Sequence, residues 1–263
     1  MGIRGLKALT ACRLLLQIAF SPRDRSEAQH RFIEEVVKHI YPKYIFGERA
    51  RIWMDDSDFM ACHRSFEPRD TRSADRKYLL RSLLGLVSMV PGDTAECGVY
   101  KGASSYLICR AIEGTGKSHH LFDSFSGLPQ PGPTDGTYWS RGDLFMPEEV
   151  ARRRLSPFRF AVFHIGWIPS MFSDVDHNIL SFVHIDVDLY EPTLASLSFF
   201  YPRMSNGGIV LFDDYGFSTC PGAKLAVDQF MEDKPERIVH CPTGQAFVIR
   251  QRPDQCAESP PAG

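Results

Sequence analysis

The chain has 263 residues, 43% of them hydrophobic, enough to bury a full core in one α/β domain with extensions. Its 30 basic residues nearly balance its 32 acidic ones, so no basic face announces a nucleic-acid partner. Seven cysteines form no CxxC pair and no Cys/His zinc spacing, and a reduced, cytoplasmic protein is the simplest expectation.

In chain order, Gly5 to Phe20 reads as a partly amphipathic helix, interrupted by Arg13 and Gln17, and not as a membrane or targeting segment. Glu27 to Ile40 carries Phe32, Val36 and Ile40 at helical spacing, and a second helix is expected from Asp75 to Val90, stopped by Pro91-Gly92. Residues 41–72 are dense in charge and aromatics with little periodicity. Residues 1–90 are therefore expected to form a helical cap, 91–252 the main domain and 253–263 a polar, disordered tail.

Beyond residue 90, strand and helix signals alternate, as in a mostly parallel sheet with right-handed crossovers. Strands are expected at Thr94–Val99, His119–Asp123, Phe160–Ile165, Ser181–Asp186, Gly208–Asp213, Arg237–His240 and Gln245–Arg250. Helices are expected at Ala103–Glu113, Pro147–Leu155, Pro192–Pro202 and Pro221–Glu232. Only the connection through Pro242-Thr243-Gly244 is short enough for a hairpin, which predicts one antiparallel strand at or near the sheet edge.

The first strand leads into Glu96-Cys97-Gly98-Val99-Tyr100-Lys101-Gly102-Ala103-Ser104, an acid followed by spaced glycines and a helix start. Such a turn lets a ligand approach the backbone. A pyrophosphate would not welcome the adjacent carboxylate, whereas Glu96 suits a ligand with an ammonium group. Asp123 ends the second strand, where a ribose hydroxyl pair would be held. Together these residues favour S-adenosylmethionine over a nicotinamide dinucleotide.

Two acidic clusters, His184-Ile185-Asp186-Val187-Asp188 and Phe212-Asp213-Asp214-Tyr215, each end an apolar run. If the two strands are neighbours, four carboxylates converge at one edge. At an effective dielectric of ~20 and a spacing of ~5 Å, each like-charged pair costs about 3 kcal/mol. A cation or raised pKa values must offset that. Oxygen-only donors suit Mg²⁺.

Glu96-x-Gly98-x-x-x-Gly102, Phe122-Asp123-Ser124-Phe125-x-Gly127-Leu128-Pro129, Gly166-Trp167-Ile168-Pro169, His184-Ile185-Asp186-x-Asp188-x-Tyr190-x-Pro192-Thr193 and Gly207-Gly208-x-x-x-Phe212-Asp213-Asp214-Tyr215 follow in register. Over roughly residues 90–250 they resemble the TylF/MycF-type macrocin O-methyltransferase family. The resemblance implies a class I methyltransferase fold with a seven-stranded sheet, a divalent metal, usually magnesium, and methylation of a hydroxyl, often on a sugar of a natural product. It puts Asp186, Asp213 and Asp214 on the metal positions and Asp188 on the suggested general base, with Asp186 also at the reacting centre. Glu96, Gly98, Tyr100, Gly102, Ser104, Asp123, Phe125, Gly166 and Trp167 are the cofactor candidates.

Weaker expectations attach to other residues. His184 reads as a hydrogen-bonded core histidine and Arg152-Arg153-Arg154 as the solvated face of a helix. Pro129 to Pro147, with Tyr138 and Trp139, is long and aromatic enough for a lid over cofactor and acceptor. Residues 51–64, with Trp53, Asp56, Asp58 and Phe59, are candidates to fold over the cofactor mouth. Expected partners are a sugar-containing acceptor and, through the N-terminal helices, a second copy of the chain. Two rival functions are a metal-dependent hydrolase and a non-catalytic nucleotide-binding domain.

Overall fold

A computed structural model of the chain describes residues 15–16, 25–40, 52–68, 73–176 and 178–251. The expected helix over Gly5 to Phe20 and the tail 253–263 lie almost wholly outside these residues. Two compact units divide the chain, Met1–Ile52 and Trp53–Gly263. The first contains the helix α1 (Arg25–Ile40), close to its expected span. The boundary falls well before residue 90, with residues 53–90 in the larger unit.

In the larger unit, α2 (Ser57–Phe66) arises within the stretch that showed little periodicity. Asp56 caps it, accepting a hydrogen bond from Phe59 N at 2.8 Å, and pairs with Arg81. Phe59 and Met60 are buried against α3 (Ala74–Leu86). Trp53 and Phe59 thus serve the core, and none of Trp53, Asp56, Asp58 and Phe59 lines the large cleft described below. The helix α3 ends at Leu86, four residues before its expected end, because Val87–Met89 form a turn ahead of Pro91.

The remaining elements are β1 (Asp93–Cys97), α4 (Ala103–Ile112), β2 (His119–Asp123), α5 (Glu148–Leu155), β3 (Ala161–Ile165), β4 (Leu180–Ile185), α6 (Tyr190–Phe200), β5 (Met204–Phe212), α7 (Pro221–Met231), β6 (Val239–His240) and β7 (Ala246–Ile249). The seven strands lie in the order β3-β2-β1-β4-β5-β7-β6. β1 to β5 pair in parallel, and β7 runs antiparallel to both β5 and β6. This is the mostly parallel sheet with an antiparallel strand near one edge that the short Pro242–Gly244 connection implies.

Side-chain alternation splits the strands between two helical layers. Val183 and Ile185 of β4 join Leu197 of α6 and Val227 of α7 on one face. Phe182, Ile209 and Leu211 meet Leu80, Leu83 and Leu84 of α3 and Ile108 of α4 on the other. Burying a side chain such as Phe182 or Leu80 is worth ~1.5–3 kcal/mol, so the helices that cover the sheet also fix its edges. Register then places the chemistry. Ile185 of β4 stands beside both Cys97 of β1 and Phe212 of β5, so the residues that follow these strands share one carboxyl edge.

Candidate active site

At that edge a cleft of about 1330 Å³ opens between the glycine turn, the loops after β2, β3, β4 and β5, and the start of α3. Gly98 sits at its floor with φ +87°, and a Cβ there would lie 1.8 Å from the Asp186 carbonyl oxygen. Glycine is required because β1 and β4 close tightly at their ends, with Asp186 N donating to Cys97 O at 2.9 Å. Close approach serves the protein's own backbone here as well as any ligand. Tyr100 follows in the left-handed region at φ 51°, a strained conformation for a bulky residue of the kind that clusters at functional sites.

Asp123 lines the cleft at the end of β2, and three backbone amides hold it. Its Oδ2 accepts from Val99 N at 2.8 Å and Tyr100 N at 2.9 Å, and its Oδ1 from Phe125 N at 2.7 Å. A carboxylate has about four acceptor sites, so one direction stays open toward the cleft. Gly166 and Trp167 line the same cleft beyond β3, with Trp167 46% exposed.

Several expected cofactor residues lie elsewhere. Glu96 is fully buried and turned away from the cleft: its Oε1 meets His184 Nδ1 at 2.9 Å, Ser105 Oγ donates to its Oε2, and His119 Nε2 stands 3.7 Å from Oε2. Side-chain alternation puts it on the α3/α4 face of β1, so it is an internal charge and not an ammonium receptor. Phe125 is buried in a third cluster with Leu121, Leu155 and Phe158. Gly102 caps α4 at φ +81°, 3.6 Å by its Cβ position from Ala151, and Ser104 in the first turn does not line the cleft.

The acidic edge separates into two layers. In the inner one, Asp213 is tied on both oxygens: Arg76 of α3 pairs with Oδ2, while Gln245 Nε2 donates to Oδ1 at 2.7 Å and His184 Nε2 lies 3.4 Å from it. His184 is thus the hydrogen-bonded core residue expected, bridging Glu96 and Asp213. Burial would raise the Glu96 carboxyl, but the hydrogen bond with His184 and the nearby His119 ring outweigh it and hold the pKa at about 2.

In the outer layer, Asp186, Asp188 and Asp214 face the cleft. Asp188 adopts φ 61°, and its backbone N–H donates to Asp214 Oδ2 at 2.9 Å. Its Oδ1 accepts from the Cys220 thiol at 3.5 Å, and Trp139 Nε1 donates to the Cys220 sulfur at 3.4 Å. Burial, then Asp214, pushes that thiol up to about 12, so it stays a donor. Burial and the neighbouring Asp186 push the Asp188 carboxyl up to about 7, and burial with Asp188 and Asp186 raises Asp214 well above the usual carboxylate range. The acids are short of positive charge.

Ligand atoms of Asp188, Asp214 and Cys220 lie within 4.8 Å of one another, as do those of His184, Asp186 and Asp213. Carboxylate oxygens close together at a cleft floor, two of them with raised pKa values, fit a hard divalent cation with open positions for waters or hydroxyls.

The segment 129–147 is pinned at Asp135, which is 2% exposed: its Oδ2 accepts from Gly132 N and its Oδ1 from Tyr190 N, both at 2.7 Å. Trp139 faces into the cleft, and Tyr138 is 63% exposed on its rim. Arg152, Arg153 and Arg154 are exposed on α5, with Arg152 paired to Glu148. Glu67, Arg76, Lys77, Asp135, Cys220 and Gln245 are site residues that sequence patterns alone did not mark. Arg76 and Lys77 sit at the start of a helix read only for its apolar face, and Glu67 follows a helix that periodicity did not mark.

Strand order and carboxyl-edge cleft are those of a class I methyltransferase. The O-methyltransferase NovP superposes with a TM-score of 0.58 at 28% identity, over 68% of this chain and 81% of that one. CalS11, a calicheamicin methyltransferase, gives 0.56 at 20% identity over 92% of each chain, a likeness of fold. The pattern of the macrocin-O-methyltransferase (TylF) family matches residues 84–240, and the chain belongs to that family. Curated relatives include demethyldecarbamoylnovobiocin O-methyltransferase of Streptomyces niveus, 33% identical over 156 residues, and mycinamicin III 3''-O-methyltransferase of Micromonospora griseorubida, 28% identical over 147 residues. These matches cover 54% and 50% of this chain and span 58% of the length of each relative. Among the described residues, no helix is long and apolar enough to cross a membrane.

Proposed function

We propose that the protein is an S-adenosylmethionine- and Mg²⁺-dependent O-methyltransferase acting on a hydroxyl of a sugar or glycosylated small molecule. The observation that carries this reading is the outer acid layer lying in one cleft with the glycine turn and Asp123, where Gly98 touches the Asp186 backbone. Family membership and relatives named as O-methyltransferases of demethyldecarbamoylnovobiocin and mycinamicin III support it. A hydrolase or a non-catalytic nucleotide-binding domain would leave the joint placement of glycine turn, Asp123 and acids without a purpose.

When bound, S-adenosylmethionine supplies an electrophilic methyl group and Mg²⁺ supplies charge that makes a hydroxyl more acidic. Asp186, Asp213 and Asp214 are the proposed cation ligands; Asp213, held on both oxygens by Arg76 and Gln245, would exchange one of these partners for the ion. Asp123 keeps one acceptor direction for a ribose hydroxyl, and Gly166 and Trp167 border the adenine side. Asp188 accepts the proton that the acceptor hydroxyl loses, and Cys220 orients it. Trp139 ties the segment 129–147 to Cys220 and so to Asp188, which is how that segment, as a lid, would align acceptor with base.

Transfer of label from methyl-labelled S-adenosylmethionine to a panel of glycosides tests the reading, with and without chelator. Label in a sugar hydroxyl, lost on chelation, is expected. Transfer that survives complete removal of divalent cations would remove the metal from the reaction.

A further inference from the structure

With Glu96 sealed inside, the cleft needs another group to meet an ammonium, and one is present. Glu67, at the end of α2, lines the cleft beside Lys101, whose Nζ donates to Glu67 Oε1 at 3.2 Å. Lys77, on α3, points into the same space and donates to Ser73 Oγ at 2.9 Å. Its ammonium is half-buried; burial and the adjacent Arg76 hold its pKa below the usual lysine range, while Asp186 and Glu67 pull it back. An ammonium has three donors and this hydroxyl takes one, so the group keeps donors for an anion in the cleft.

The sheet order says which part of the cofactor reaches it. Asp123 on β2 and Gly166-Trp167 after β3 take one side of the glycine turn, and the acids after β4 and β5 take the other. A ligand with its ribose at Asp123 and its sulfur near the acids must send its remaining arm along Gly98 and Tyr100, toward the α2 and α3 ends. That arm is an α-amino acid, a carboxylate and an ammonium on one carbon.

We infer that Lys77, assisted by Lys101, binds the carboxylate of the cofactor's amino-acid arm and that Glu67 binds its ammonium, so the segment 53–90 reads the zwitterion. The inference rests on the proposed S-adenosylmethionine dependence. Lys101 stands at the turn itself, with its Nζ 5.0 Å from the Tyr100 ring centroid, so the strained turn and the zwitterion site are built as one unit. Charge-assisted hydrogen bonds of this kind are each worth about 10- to 100-fold in affinity.

Calorimetric titration of the full chain with three ligands tests this: S-adenosylhomocysteine, its analogue lacking only the carboxylate, and 5′-methylthioadenosine, which lacks the whole arm. Wild type should prefer S-adenosylhomocysteine over the decarboxylated analogue by about 10-fold or more. Lys77→Met should close that gap by weakening the first ligand and sparing the second, and Lys77→Arg should restore part of it. Glu67→Gln should weaken both amine-bearing ligands and spare 5′-methylthioadenosine.

Equal weakening of all three ligands by Lys77→Met, or no change in any, would overturn the assignment. So would a wild type indifferent to the carboxylate, a result that needs no variant to fold. Failure of wild type to bind S-adenosylhomocysteine at all would instead overturn the proposed function.

Discussion

Two sets of buried carboxylates stand a few ångströms apart in this protein, and they have opposite electrostatic fates. Glu96 and Asp213, the inner set, are met by Ser105, His184, Arg76 and Gln245. Asp188 and Asp214, the outer set, have a thiol and a backbone amide as their donors; burial pushes both up, helped by Asp186 at Asp188 and by Asp188 and Asp186 at Asp214. A satisfied buried charge holds a fold together; a frustrated one at a cleft floor awaits a ligand. Where the carboxylate lies along the sequence does not distinguish the two. Its partners do.

The largest effect is expected at Glu96. Glu96→Gln leaves the His184 side of a buried pair uncompensated and should cost about 3–5 kcal/mol in a urea unfolding experiment. A cost below about 1 kcal/mol would move Glu96 out of the structural set. Gly98→Ala comes next: its Cβ would meet the Asp186 carbonyl from a left-handed backbone, a strain of about 2–4 kcal/mol that also displaces the outer acids.

Asp188→Asn should behave in the reverse way. Removing one of several like charges leaves stability unchanged or raises it by about 1 kcal/mol, while turnover falls about 10²- to 10⁴-fold. Loss of stability with retained turnover would make Asp188 a structural residue.

The pH dependence sharpens the same contrast. Glu96, held at about 2 when folded against about 4.3 when unfolded, contributes stability above that unfolded value, lost as pH falls toward 2. Asp188 has the opposite sign. Its folded pKa of about 7 exceeds its unfolded value, so the folded state binds the extra proton and stability declines as pH rises from about 4 to 7. Thermal melts of the metal-free protein should therefore lose stability toward both ends of pH 2 to 7. The upper loss, and not the lower, should shrink in Asp188→Asn, leaving the part that the raised Asp214 carboxyl contributes.

Much of this was legible from residue patterns. The alternation of strands and helices, the antiparallel strand near the edge and the adjacency of the two acid-ended strands all follow from local periodicity and short connections. Motif order identified the family. The division of labour within the motifs was not legible, because it depends on strand register. Glu96 and Asp123 both sit at or near a strand end, yet alternation turns one into the core and leaves the other at the cleft. Phe125, read as a cofactor residue, packs with Leu121 and Phe158. Helix α2 escaped because only Phe59, Met60, His63 and Phe66 of its ten residues are buried. Lys77 escaped because α3 was read for its leucines, and its polar face reaches the cleft.

Titrating Mg²⁺ by calorimetry into wild type, Asp214→Asn and Asp188→Asn, each saturated with S-adenosylhomocysteine, tests the separation of ligands from base most directly. One site is expected in wild type, retained in Asp188→Asn and lost in Asp214→Asn. Loss of the metal in Asp188→Asn, or its retention in Asp214→Asn, would contradict it.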